Sequence, residues 1–293
     1  MNKLFFALGY LLLLHNHLHA LSWEEIFKQN NLLLQNNTYL IIKEQQAAFA
    51  LNNAPAIAHQ VIKNIGIIDN NEQLIDVNLM NHTRITMLPD APNKQSFAGA
   101  QYNSGLPSAS KMRLSLWQKL EHVIIYLDEL AEQFGYISGS ISIKVFEGLR
   151  DIETQKLLFI HKLEEIRKNN PDLNQEALET ETAKWVSPYK NNIPVHATGA
   201  AVDIRLFNEQ TQDFIDLGPF GVIWGTNKEA QTFSENLTDA QKLNRLYLLM
   251  ATAQAGLVNY VYEYWHYSVG DRYAAYWQEK DGSKRLACYG LAQ

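Results

Sequence analysis

Two short polar clusters constrain this chain more than any other feature. The first is His196-Ala197-Thr198-Gly199-Ala200-Ala201-Val202-Asp203 and the second is Glu263-Tyr264-Trp265-His266. Between them they offer two imidazoles and a carboxylate as metal ligands, and a second carboxylate nearby. That is the inventory of a zinc hydrolase: nitrogen and oxygen ligands, an open position for water, and a base to deprotonate it.

Each cluster also has an ordinary reading. A histidine in a loop is usually a hydrogen-bonding surface residue, although Gly199 permits a close backbone approach or an unusual turn. Ala200 to Phe207 reads as a strand with Val202, Ile204 and Leu206 on one side, so Asp203 and Arg205 share the opposite face. Asp203 there is either a ligand or an exposed carboxylate that partners Arg205. Glu263 and His266 would point to opposite faces of a regular strand, and they converge only at a turn, bulge or strand end. The aromatic run from Tyr260 to Tyr267 would wall a dry pocket and raise the pKa of Glu263. Alternatively it is an aromatic core strand in which His266 is satisfied by hydrogen bonding.

The rest of the chain reads as an α+β fold, with helices packed around a small, mostly antiparallel sheet. Met112, Leu116, Leu120, Val123, Leu127, Leu130 and Phe134 recur at helical spacing and Gly135 is the stop. Ser140 to Phe146 alternates as a half-buried strand that ends at Glu147-Gly148-Leu149-Arg150. Asp151 caps a helix that runs to Asn170-Pro171. A shorter helix covers 173–184, and another covers 238–255 before Gly256. Residues 257–264 and 272–277 are strand candidates, 208–237 is irregular, and 88–108 is a long loop rich in Pro, Gly, Asn and Ser.

The 293 residues include 46% hydrophobic ones, enough for a sizeable core, and the formal charge is -6. No basic block is present, which argues against nucleic acid as a partner. Residues 1–20 have a short basic start, the apolar run Leu4–Leu14, and Ala20 before a cleavage point. This is a signal-peptide pattern that predicts a periplasmic or secreted protein, or a cytoplasmic one if the segment is retained. Residues 21–75 read as a helical extension and 76–293 as the main domain. No second long apolar segment predicts a membrane span. The one cysteine, Cys288, excludes an internal disulfide and reads as a quiet, partly buried thiol.

The motifs together resemble the D-alanyl-D-alanine dipeptidase (VanX-like) branch of the M15 zinc metallopeptidases. That family carries His, two residues, Gly, one residue, Ala, one residue, Asp, matched by His196 to Asp203. It also carries Glu-Trp-Trp-His followed by an aromatic, matched by Glu263-Tyr264-Trp265-His266-Tyr267. A third motif, Asp-Gly-Tyr-Arg-Pro, is echoed by Glu147-Gly148-Leu149-Arg150-Asp151. The likeness spans roughly residues 75 to 289. It implies one zinc ion per chain held by His196, Asp203 and His266, Glu263 as catalytic base, and Arg150 at the developing oxyanion. It also implies a small peptide substrate of the D-Ala-D-Ala type, from peptidoglycan metabolism. A carboxypeptidase acting on stem peptides, or a relative that binds cell wall without turnover, are the alternatives. Pro194 stands where the family has serine, Leu149 and Asp151 replace its tyrosine and proline, and the Phe-Asp expected after Asp216-Leu217-Gly218 is missing.

Overall fold

A computed structural model describes residues 20–30, 37–88, 108–183, 185–220, 228–279 and 284–292. The expected long loop falls largely outside the described residues, as does all but the last residue of the expected signal segment.

The amino-terminal extension begins as helices and ends as strands. Helix α1 (Trp23–Gln29) starts at a Ser22–Glu25 capping box, followed by α2 (Leu40–Ala50) and the short α3 (Gln60–Lys63). Two short strands follow, β1 (Gly66–Ile67) and β2 (Leu74–Asp76), where a helical lead-in was expected. Each borrows a distant partner: β1 pairs with β10 (Leu286–Ala287) and β2 with β4 (Lys111–Arg113). Extended pairing across such distances leaves no local period to read.

The main sheet has six strands: β3 (Ile85–Met87), β5 (Ile141–Glu147), β6 (Ala201–Asn208), β7 (Asp213–Phe214), β8 (Val258–Tyr260) and β9 (Glu263–Ser268). The path runs β3-β5-β6-β9-β8, with β7 also paired to β6. Only β3–β5 is parallel. Helix α4 (Leu114–Leu130) buries Leu116, Leu120, Val123 and Leu127 completely against this sheet and α7 (Asp239–Gln254). Each such side chain stabilises by about 1.5–3 kcal/mol relative to exposure. Gly135, at φ 79°, closes the following turn in the left-handed region, where a side chain would be strained.

Helices α5 (Ile152–Asn169) and α6 (Gln175–Ala183) form a separate layer with its own small core of Leu158, Phe159, Leu163, Ile166, Leu178 and Val186. Asp151 caps α5 by accepting from the Thr154 amide at 2.8 Å. One expectation is corrected. Residues 272–277 are not a strand but helix α8 (Arg272–Gln278), capped by Asp271, which accepts from the Ala274 amide at 2.7 Å. Buried Tyr273, Ala274 and Trp277 fall at positions i, i+1 and i+4, a helical face that the aromatic content disguised. The 257–264 strand is also broken, because a turn at 261–262 divides β8 from β9. No described helix is long and apolar enough to cross a membrane.

The extension does not stand apart from this core. Trp23, Ile26, Tyr39 and Ile42 belong to the same buried cluster as the sheet and α4. Trp23 stacks edge-on against Phe233 and donates its indole N–H to the Ser234 carbonyl at 3.0 Å.

Candidate metal centre

Sheet register lines up the site. Glu147 on β5 is opposite Asp203 on β6, and Asp203 is opposite His266 on β9. Residues directly opposite in adjacent strands share a face, so these three stand in a row across the sheet. His196 arrives from a 3-10 turn, Val195–Thr198, that Pro194 leads into and Gly199 ends at φ 70°. A Cβ on Gly199 would lie 2.8 Å from the end of the Leu74 side chain, which would have to shift, and the positive φ is what makes the turn that delivers His196 favour glycine.

The mismatch between Glu263 and His266 is resolved by a bulge. Asn259 is paired with Tyr267, but the next residue of β8, Tyr260, is paired with Glu263. Residues 264–266 are therefore extra length on β9. The Asn259 amide fills the irregularity, with Nδ2 3.0 Å from the His266 carbonyl and 3.3 and 3.4 Å from those of Glu263 and Tyr264. Its Oδ1 accepts from Thr232 Oγ1 at 2.6 Å. Glu263 and His266 consequently line one cavity, of about 90 Å³, together with Arg150, Gln155, His196 and Tyr260.

The three expected ligands are buried, and their ligand atoms lie within 4.8 Å of one another. His196 Nδ1 is 2.8 Å from the Gly148 carbonyl, which can only accept, so the proton sits on Nδ1 and a lone pair on Nε2. That lone pair lies 3.3 Å from Asp203 Oδ1. The same oxygen is 3.0 Å from His266 Nδ1, while His266 Nε2 is buried without a hydrogen-bond partner. A carboxylate oxygen shared by two imidazoles, one presenting a lone pair, requires a cation or an added proton at their centre. Two imidazole nitrogens and a carboxylate oxygen suit zinc, with a fourth position left for water or substrate. The donor set therefore fits the metal.

Electrostatics agree with that arrangement. Burial alone would raise the Asp203 carboxyl, yet the two histidines hold it far below the usual range. Burial would lower His196, but Asp203 overcomes this and raises it, whereas for His266 burial wins and the value falls. Glu263 is pushed up to about 7, first by burial and then by the charge of Asp203, against the pull of His196 and Arg150. A carboxyl poised near neutrality beside a metal cluster is suited to accept and return a proton.

Arg150 lies on the cavity wall and is held from two sides. Nε and Nη2 donate to the two oxygens of Glu147 at 2.9 and 2.7 Å, and Nη1 donates to Gln155 Oε1 at 3.0 Å. Arg150 thus forms a buried salt bridge to Glu147, while Asp151 caps α5. Arg205 does not pair with Asp203; its guanidinium stacks on Phe214 and Phe220, 3.8 and 4.9 Å from their centroids. Cys288 is partly buried, and burial raises its thiol pKa.

Sequence reasoning missed Gln155 and Asn259, which act through their neighbours. It also missed Ala56, Ile57 and Ala58, which line the cavity from the extension. An asparagine inside an otherwise apolar strand was the one available signal for the bulge.

The chain is similar to known proteins over much of its length. Over 225 residues the chain is 26% identical to a D-alanyl-D-alanine dipeptidase of Synechocystis, covering 69% of this chain and 86% of that one. A solved structure described as VanYB in complex with D-Alanine-D-Alanine is similar at 17% identity and a TM-score of 0.32, covering 61% of this chain and 80% of that one. Residues 113–280, more than half the chain, match the M15 peptidase family described as D-ala-D-ala dipeptidase. On that match, with a buried His-Asp-His cluster inside it, the chain belongs to the M15 family of zinc peptidases.

Proposed function

We propose that this protein is a zinc-dependent dipeptidase that hydrolyses D-alanyl-D-alanine or a closely related dipeptide, in the metabolism of peptidoglycan and outside the cytoplasm. The observation that carries this reading is the small cavity whose walls hold His196, His266, Glu263 and Arg150 together. The cavity is narrow at its base, about 90 Å³, and is lined there by the same residues that would hold the metal and move the proton. The dipeptidase name of the Synechocystis relative supports the same substrate class.

His196, Asp203 and His266 would hold the metal. When bound, it supplies Lewis acidity towards the scissile carbonyl and lowers the pKa of water in its open position. Glu263 accepts the proton of the attacking water and hands it to the departing amine. Arg150, oriented by Glu147 and Gln155, faces the oxygen on which negative charge develops. Pro194 offers neither a hydroxyl nor an amide hydrogen at its position, so it donates no hydrogen bond to a substrate.

The test is to incubate metal-loaded protein with D-Ala-D-Ala, L-Ala-L-Ala and a muropeptide pentapeptide and to identify the products by mass. Release of alanine from D-Ala-D-Ala, with the pentapeptide intact, is expected. Trimming of the pentapeptide with D-Ala-D-Ala untouched would establish a carboxypeptidase instead, and no turnover of any peptide would point to a binding protein.

A further inference from the structure

The cavity has a wall that the family match does not contain. Ala56, Ile57 and Ala58 line it together with the chain that follows α6, represented by Trp185, Ser187 and Pro194. The matched segment begins at residue 113, so this wall comes from the amino-terminal extension. We propose that the segment Ala54–Ala58 is the element that limits substrate length, closing the site around peptides of two small residues. This rests on the peptidase reading of the same site given above.

Three observations make the segment a fixed wall. It is tied to the strand pair that carries the base, because Tyr262 Oη donates to the Ala54 carbonyl at 2.8 Å, and Ile57 lines the same cavity as Tyr260. Tyr262 lies in the turn just before Glu263, and Tyr260 ends β8 with its ring 5.8 Å from that of His266. The segment is also tied back to α2, because the Asn53 and Ala54 amides both donate to the Ala48 carbonyl, at 2.8 and 3.1 Å. Helix α2 is in turn fixed to the bulge, with Gln45 Nε2 donating to the Asn259 carbonyl at 2.8 Å and Phe49 stacking 5.9 Å from Tyr262.

The chemistry of the wall indicates what it admits. It carries two methyl groups and one branched aliphatic side chain, with no charge and no side-chain hydrogen-bonding group. A methyl side chain packs against such a surface. A peptide that continues past its second residue would bring a polar backbone unit against this apolar segment, whose own side chains offer it no partner, and burying such a group unpaired is costly. The wall therefore discriminates by both space and polarity.

The full-length, metal-loaded protein and its Ile57→Gly and Ile57→Ala variants test this. For each, kcat/KM is measured on D-Ala-D-Ala and on a tripeptide ending in D-Ala-D-Ala, with zinc content and melting temperature as folding controls. The expected result is a wild-type preference for the dipeptide, and a tripeptide-to-dipeptide ratio that rises about tenfold or more in Ile57→Gly and less in Ile57→Ala. An unchanged ratio in folded, zinc-containing variants, or equal wild-type use of both peptides, would overturn the proposal. If D-Ala-D-Ala is cleaved by none of the proteins, the substrate reading fails. The same ratio taken on L-Ala-L-Ala and L-Ala-L-Ala-L-Ala then decides the wall, and a protein that cleaves neither series overturns it as well.

Discussion

Replacing Glu263 with glutamine should abolish most turnover and at the same time stabilise the metal-free fold. Burial and Asp203 push this carboxyl from 4.5 to about 7. A folded-state pKa above the unfolded one means that the folded chain binds the proton more tightly. Stability is then undiminished below 4.5 and falls as pH rises through the interval to about 7. Over some 2.5 pH units at 1.36 kcal/mol each, the ionised carboxylate costs the metal-free fold about 3 kcal/mol at pH 8, and under about 1 kcal/mol at pH 5. Glutamine carries no charge and escapes that cost. Urea denaturation in the presence of a chelator, at both pH values, should therefore show Glu263→Gln more stable than wild type by about 3 kcal/mol at pH 8, with the gap closing at pH 5. A bound cation favours the carboxylate and should shrink the gap. Turnover should move the other way: the metal-replete variant loses about 10²- to 10⁴-fold, because an amide accepts no proton. Equal stability of the two chelated proteins at pH 8, or a gap independent of pH, would refute the reasoning about the buried charge. Near-wild-type kcat/KM in metal-replete Glu263→Gln would refute its role as base.

Arg150→Ala should lower kcat by about 10²- to 10³-fold at unchanged zinc content. It should also destabilise the fold, since buried Glu147 loses its bidentate partner, and adding Glu147→Gln should restore stability without restoring turnover. Asn259→Leu removes the donor to three carbonyls of the bulge, so kcat and zinc affinity should each fall about tenfold or more, read by kinetics and by metal competition. Export predicts that the native protein, sequenced from an envelope fraction, starts near Leu21. The new ammonium would then lie beside Asp239, whose Oδ1 is 2.6 Å from the Leu21 nitrogen, while a cytoplasmic protein that retains Met1 would reject export.

Much of this arrangement was legible because it is local. The apolar stripe of Leu116, Leu120, Val123 and Leu127, the Asp151 cap and the alternation of Val202, Ile204 and Leu206 each follow from short-range periodicity or capping. His196, Asp203 and His266 were recognisable by residue type, spacing and resemblance, and the fold brings all three together. What escaped was non-local. Asn259 holds a bulge whose existence depends on the pairing of two strands. Helix α8 was hidden by aromatic residues that favour strands when considered alone. The wall at Ala56–Ala58 reaches the site through tertiary contacts with Tyr260 and Tyr262, and no spacing along the chain encodes them.

The central claim is that one metal ion is held by His196, Asp203 and His266. Zinc content per chain, measured by elemental analysis after dialysis of the wild type and of His196→Ala, Asp203→Ala and His266→Ala, tests it most directly. The expected result is about one zinc per wild-type chain, as for a catalytic set of three protein ligands, and a small fraction of that in each variant. Near-stoichiometric zinc in all three folded variants would contradict it.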